Sequence, residues 1–143
     1  MDGLTVLKYR EHIWTLHCSP LSRAKPVLLI ALFEMVRDGQ VNDNKFYFSK
    51  ELCSKYLAIW EHYFPSTKAT PINYPLYHLT FDKFWHFCQL PNTVLMSPKV
   101  HSPSIIGIKN AVDYFYFDED LFEQLQDIDG NIILSKTITD KYL

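Results

Sequence analysis

Six histidines, three cysteines and sixteen carboxylates are the groups in this 143-residue chain whose chemistry could extend beyond packing. His12 and His17 are five positions apart, which on a helix sets them roughly 140° apart around the axis. No His-Glu-x-x-His spacing occurs, nor a Gly-x-Ser-x-Gly elbow, a Walker loop or a Gly-x-Gly-x-x-Gly turn, and only four glycines are present. His86 sits between Trp85 and Phe87 in a strand-like pattern, where a hydrogen-bonded structural role is expected. Cys18, Cys53 and Cys88 never form a Cys-x-x-Cys pair, which argues against a disulfide framework and a zinc knuckle and fits a reducing cytoplasm. The acidic run Asp118-Glu119-Asp120 has the ligand type for a hard cation, but it opens helix-like sequence, where a solvated face complementing the helix dipole is expected. No catalytic constellation emerges. The chain is therefore expected to be a binding module, not an enzyme, with no cofactor and no metal.

Charge distribution narrows what it could bind. The formal net charge is −2, yet residues 111–130 hold seven carboxylates and no Lys or Arg. Outside that stretch 14 basic groups face nine acidic ones, so one face can be basic while another is acidic. That permits a phosphate-binding surface. The longest apolar run, Val27 to Phe33, is far short of the ~20 residues a membrane helix needs. The charged N-terminus, with Asp2, Lys8, Arg10 and Glu11, does not read as a signal peptide. A cytoplasmic protein without a membrane partner is the expectation.

These groups must be held by elements that the pattern of apolar residues locates. The length fits one compact domain, residues 1–143, and an aromatic share of 15% supplies a full core without crosslinks. Val6, Tyr9, Ile13 and Leu16 form an amphipathic helical stripe that Ser19-Pro20 ends. A basic loop, Ser22-Arg23-Ala24-Lys25, leads to Pro26 and an apolar run to Val36, predicting a helix buried at the centre with Gly39 as its left-handed cap. Asn42-Asp43-Asn44 reads as a turn and Lys45–Phe48 as a short strand. Ser49 caps a helix whose stripe is Leu52, Tyr56, Ile59, Trp60 and Tyr63. Residues 65–75 hold three prolines and read as a loop of the length that often carries function. Phe84 to Leu90 alternates like a strand, residues 91–104 form a second loop, and Asp118 starts another helix. The last stretch carries both strand propensity and helical spacing of Leu134, Ile138 and Tyr142; helix is favoured. The fold class is α+β, predominantly helical, with a central buried helix and small antiparallel β ribbons.

Specific strings carry more information than composition. Ala24-Lys25-Pro26-Val27-Leu28-Leu29-Ile30-Ala31-Leu32 looks like the basic-Pro-x-Leu-Leu-Leu opening of the N-terminal domain of bacterial HNH-type restriction endonucleases. Asn73-Tyr74-Pro75-Leu76-Tyr77-His78-Leu79 and then Asp82-Lys83-Phe84-Trp85 resemble a later Tyr-Pro and Asp-x-Phe-Trp stretch of that domain. Asn110-Ala111-Val112-Asp113-Tyr114, the segment Asp118 to Asp127 and the closing Asp140-Lys141-Tyr142-Leu143 are similar to its remaining anchors, in the same order. The resemblance spans about Tyr9 to the last residue.

Members of that family include sulfur-binding domains that recognise phosphorothioate DNA, in which sulfur replaces a non-bridging phosphate oxygen. The resemblance implies double-stranded DNA as partner and a separate HNH nuclease module as the cutting agent. His86, Asn92 and His101 are the nearest His-Asn-His trio here, but their first gap is short and they interrupt the recognition domain. The implied phosphate-binding residues are Arg23, Lys25, His78 and Lys99, and the implied sulfur pocket is Tyr74, Pro75 and His78. Sulfur is larger, softer and less hydrated than oxygen, so an apolar ring face beside a cation suits it. Two residues depart from the family pattern: Ala24 stands where sulfur binders commonly place His, and Lys25 where they place Arg. His78 stands near a position that is small in the characterised binders, and would either fill the pocket or donate to phosphate. General or other-modification DNA binding and a protein–protein module remain the alternatives.

Overall fold

The computed structural model describes residues 1–17, 23–95 and 102–143. Helices α1 (Gly3–Trp14), α2 (Ala24–Arg37) and α3 (Lys50–Tyr63) come first, then the short α4 (Asn73–His78), which runs into a 3-10 turn at Leu79–Phe81. Strand β1 (Trp85–Gln89), helix α5 (Ile105–Ala111), strand β2 (Val112–Phe117), and helices α6 (Glu119–Gln126) and α7 (Ile128–Tyr142) follow. The fold is a mixed α+β arrangement, mostly helical, with β1 and β2 paired in a two-stranded antiparallel sheet among the described residues. No helix of the described residues is long and apolar enough to cross a membrane.

Helix α2 is the axis of the molecule. Every residue from Ala24 to Phe33 is buried, as an apolar surface running all round a helix demands, and α3, α4, α6 and α7 pack on it. It ends where the sequence indicates: Gly39 takes φ +76°, and Gln40 N donates back to Met35 O at 2.9 Å. Asp2 caps α1 by accepting from Leu4 N, and Ser49 caps α3 by accepting from Leu52 N, both at 3.1 Å. α1 buries Val6, Tyr9 and Ile13 on the expected stripe. The ambiguous C-terminal stretch is helix α7, capped by Asp127 and tied to the core by the fully buried Asn131, whose amide donates to Phe33 O and Leu125 O.

The strand expected at Lys45–Phe48 is not formed. Phe46 alone bridges to Phe115, through backbone bonds of 2.8 and 2.9 Å. The next ladder position is taken by a side chain: the Asn44 amide accepts from Phe117 N at 2.9 Å and donates to Phe117 O at 2.6 Å. An amide side chain thus replaces a peptide group at the sheet edge. The strand β2, which the sequence patterning did not reveal, pairs Trp85 with Phe117 and Phe87 with Phe115. Those four face the core, where Trp85 stacks on Phe115 at 5.3 Å. By the period of two, His86, Cys88, Tyr114 and Tyr116 form the opposite face.

Candidate functional site

Lys25 departs from its sequence expectation. The resemblance implied a phosphate contact for Lys25, but its side chain is only 7% exposed and pairs with Asp82, itself 3% exposed, at 2.6 Å. The ammonium also donates to His17 O, and Asp82 accepts from His17 N at 2.7 Å. One carboxylate therefore ties the chain after α1, the first turn of α2 and the turn before β1 into a single junction. Lys25 is a buried anchor of this region, and its charge is balanced internally.

Tyr74 and Pro75 also sit differently from expected. They lie not in a loop but in the first turn of α4, where a proline is tolerated because its missing N–H would have no helical partner. Pro75 and Leu76 point inward, and the Trp85 indole N–H donates to Leu76 O at 3.0 Å, fixing α4 to β1. Tyr74 is left 44% exposed, one turn before His78. The two rings lie 4.2 Å apart, tilted by 36°. His78 thus covers one face of Tyr74, and its Nε2 bonds to Ser102 Oγ at 2.6 Å. Asn73 donates to Pro103 O at 3.0 Å, so both ends of α4 hold the 102–103 segment. Burial first, and the Lys25 charge next, hold the His78 imidazole below its ordinary value.

The surroundings lean positive. From residue 64 to 85 the charged residues are Lys68, Asp82 and Lys83; the lysines are exposed and the aspartate is consumed by Lys25. Arg23 is exposed, and its guanidinium lies 4.3 Å over the Phe64 ring at the end of α3. Phe81, 60% exposed, and Tyr77 extend the aromatic surface, with rings 5.5 Å apart. The structure therefore brings Lys25, Tyr74, Pro75 and His78 to one neighbourhood, while Arg23 is directed onto α3. Lys99 lies outside the described residues, as do His101 and Cys18.

Sequence reasoning missed Asp82 as the partner of Lys25. The signal was present: a lysine inside an otherwise apolar helix start implies a buried anion elsewhere, since an unpaired buried charge is prohibitively costly. Of the His-Asn-His trio, His86 bonds through Nε2 to Asp118 Oδ1 at 2.6 Å, and Asn92 is an exposed turn residue with φ 60°. Asp118 and Asp120 both accept from the Tyr9 hydroxyl, and Lys8 pairs with Asp120 at 3.0 Å, so the acidic start of α6 serves to dock α1. No protein-family model matches the chain, and no curated protein sequence matches it.

Proposed function

We propose that the chain is a DNA-recognition domain that docks on the sugar-phosphate backbone through the α4 surface, with phosphorothioate as the favoured mark. The observation that carries this reading is the Tyr74–His78 ring pair on α4, beside buried Pro75, in a stretch of chain whose exposed charges are Lys68 and Lys83. A ring face offers contact to a polarisable, weakly hydrated sulfur, and it demands no hydrogen bond that only oxygen could satisfy. Backbone affinity comes from exposed Arg23, Lys68 and Lys83, with His78 as a donor whose proton state a nearby phosphate would shift. Lys25 contributes by fixing the junction, not by reaching solvent. Ring contacts of this size discriminate by about 1–3 kcal/mol, so sulfur preference rides on a larger non-specific term.

The test is a gel-shift titration with matched duplexes, phosphorothioate against ordinary phosphate, at two salt concentrations. Binding should weaken steeply with salt, and Arg23→Glu with Lys83→Glu should weaken it for both duplexes. Affinity that ignores salt would overturn the backbone reading. Lys25→Glu is the wrong variant for this purpose, because it would place two carboxylates together in the interior.

A further inference from the structure

The outer face of the β1–β2 sheet carries a second aromatic surface, set in charges of the opposite sign. Tyr114 and Tyr116 stand on β2 with rings 5.9 Å apart, and Tyr47, 54% exposed, meets Tyr114 at 6.1 Å. Cys88 and Tyr116 line an open cleft of about 700 Å³ whose rim carries exposed Asp43 and Glu119. The adjoining Asp113 is exposed as well, and close enough that, after Cys88 and desolvation, its charge helps hold the Tyr114 hydroxyl above its ordinary range. Among the described residues lining the cleft, the one lysine is Lys45, and its ammonium already lies 5.1 Å over the Tyr114 ring. The cleft therefore binds a cation of its own, by attraction to a ring face.

We infer that this tyrosine-lined acidic cleft is a docking site for an arginine-bearing basic segment of a partner protein. Charge complementarity chooses the class of partner. The exposed carboxylates at the cleft and beside it are Asp43, Asp113 and Glu119, so a phosphate backbone is repelled from this face, whereas the exposed lysines near α4 in sequence would attract it. Ring faces beside carboxylates suit guanidinium better than ammonium, because a planar guanidinium stacks on a ring while its edge forks onto a carboxylate. Tyr116 offers the ring and Glu119 the carboxylate; Glu119 is steadied by the Asn44 amide, which donates to it at 3.2 Å. Lys45 competes with the incoming group for Tyr114 and repels it.

Fluorescence anisotropy with a labelled peptide of repeated Gly-Arg-Gly units tests this, beside the same peptide with lysine or with uncharged citrulline in place of arginine. The arginine peptide should bind, the lysine peptide more weakly and the citrulline peptide not at all. Tyr116→Ala and Glu119→Gln should each weaken binding about threefold to fivefold. Lys45→Ala should tighten it, an outcome that loss of a merely structural residue does not produce. Circular dichroism melts establish that the variants fold. Equal binding of the citrulline peptide would overturn the inference. So would indifference to all three substitutions, which would mean diffuse attraction to the chain's net negative charge. Competition by a single-stranded oligonucleotide that is lost in Tyr116→Ala would instead make the face a base-stacking platform.

Discussion

The α4 surface and the outer sheet face are built from the same material and set in opposite fields. Both present tyrosine and histidine rings within stacking distance: Tyr74 with His78 on α4, Tyr116 with His86 on the sheet. On α4 the neighbouring carboxylate, Asp82, is buried and spent on Lys25, so the exposed charges of that stretch are lysines. On the sheet the exposed charges are mainly Asp43, Asp113 and Glu119, with Lys45 folded onto a ring. An aromatic face has little preference for sign beyond its quadrupole; the charges left unpaired around it decide what approaches. Burying a carboxylate against a lysine is thus a way of setting the sign of a surface.

The largest effect should come from breaking that buried pair. Asp82→Ala leaves the Lys25 ammonium unpaired in the interior and removes the acceptor for His17 N, which should lower stability by about 3–5 kcal/mol. In a protein of ordinary stability that is a large fraction of the total. Replacing both partners, Lys25→Met with Asp82→Leu, should restore most of it. Urea denaturation measures both, and an Asp82→Ala variant as stable as the parent would show that the junction does not depend on the ion pair. Because the sheet face lies on other elements, folded double variant should keep its affinity for the arginine peptide.

A smaller effect concerns pH. With its value lowered in the folded chain, His78 binds its proton less readily than in the unfolded chain. Its contribution to stability is therefore full above the unfolded value near about 6.5 and is lost as pH falls from there through the lower folded value. A phosphate docked beside it works in the other direction and favours the imidazolium. DNA affinity should consequently rise, with proton uptake, as pH is lowered from about 7.5 to about 5.5, and His78→Ala should flatten the rise. Arginine-peptide binding at the sheet should fail to show this particular dependence on His78. A pH profile unchanged by His78→Ala would remove that residue from the phosphate contact.

Much of this architecture is legible in the chain because its signals are local. An all-round apolar run, a serine before a stripe and a glycine after one gave α2, the α3 cap and the α2 terminus, all within one or two turns of the residues concerned. What was not legible depends on residues far apart. The aromatic run Tyr114–Phe117 does not alternate apolar with polar residues, and the strand Val112–Phe117 is held by pairing with β1, 23 to 32 positions earlier. Lys45–Phe48 has strand propensity but meets an asparagine side chain where a ladder would continue. Tyr74-Pro75 follows a proline-rich loop and looks like part of it, until Trp85 pins Leu76 and a helix forms. Lys25 stands in an apolar helix start that calls for a buried anion, but which anion is not legible locally, because Asp82 lies 57 residues away. At the candidate site, the sequence therefore misjudged the burial of Lys25 and the helical setting of Tyr74-Pro75.

The most direct measurement on the DNA reading is a pair of titrations with Tyr74→Ala, using phosphorothioate and ordinary duplexes of one sequence. Tyr74 is 44% exposed, and its ring contact among the described residues is with the partly buried His78, so the variant should stay folded by circular dichroism. The expected result is selective: affinity for the phosphorothioate duplex falls on the order of tenfold, consistent with a 1–3 kcal/mol ring contact, while affinity for the ordinary duplex changes little. An equal fall for both duplexes would leave general backbone binding and contradict a sulfur-reading α4 surface. No detectable binding of either duplex by the parent protein would contradict DNA recognition itself.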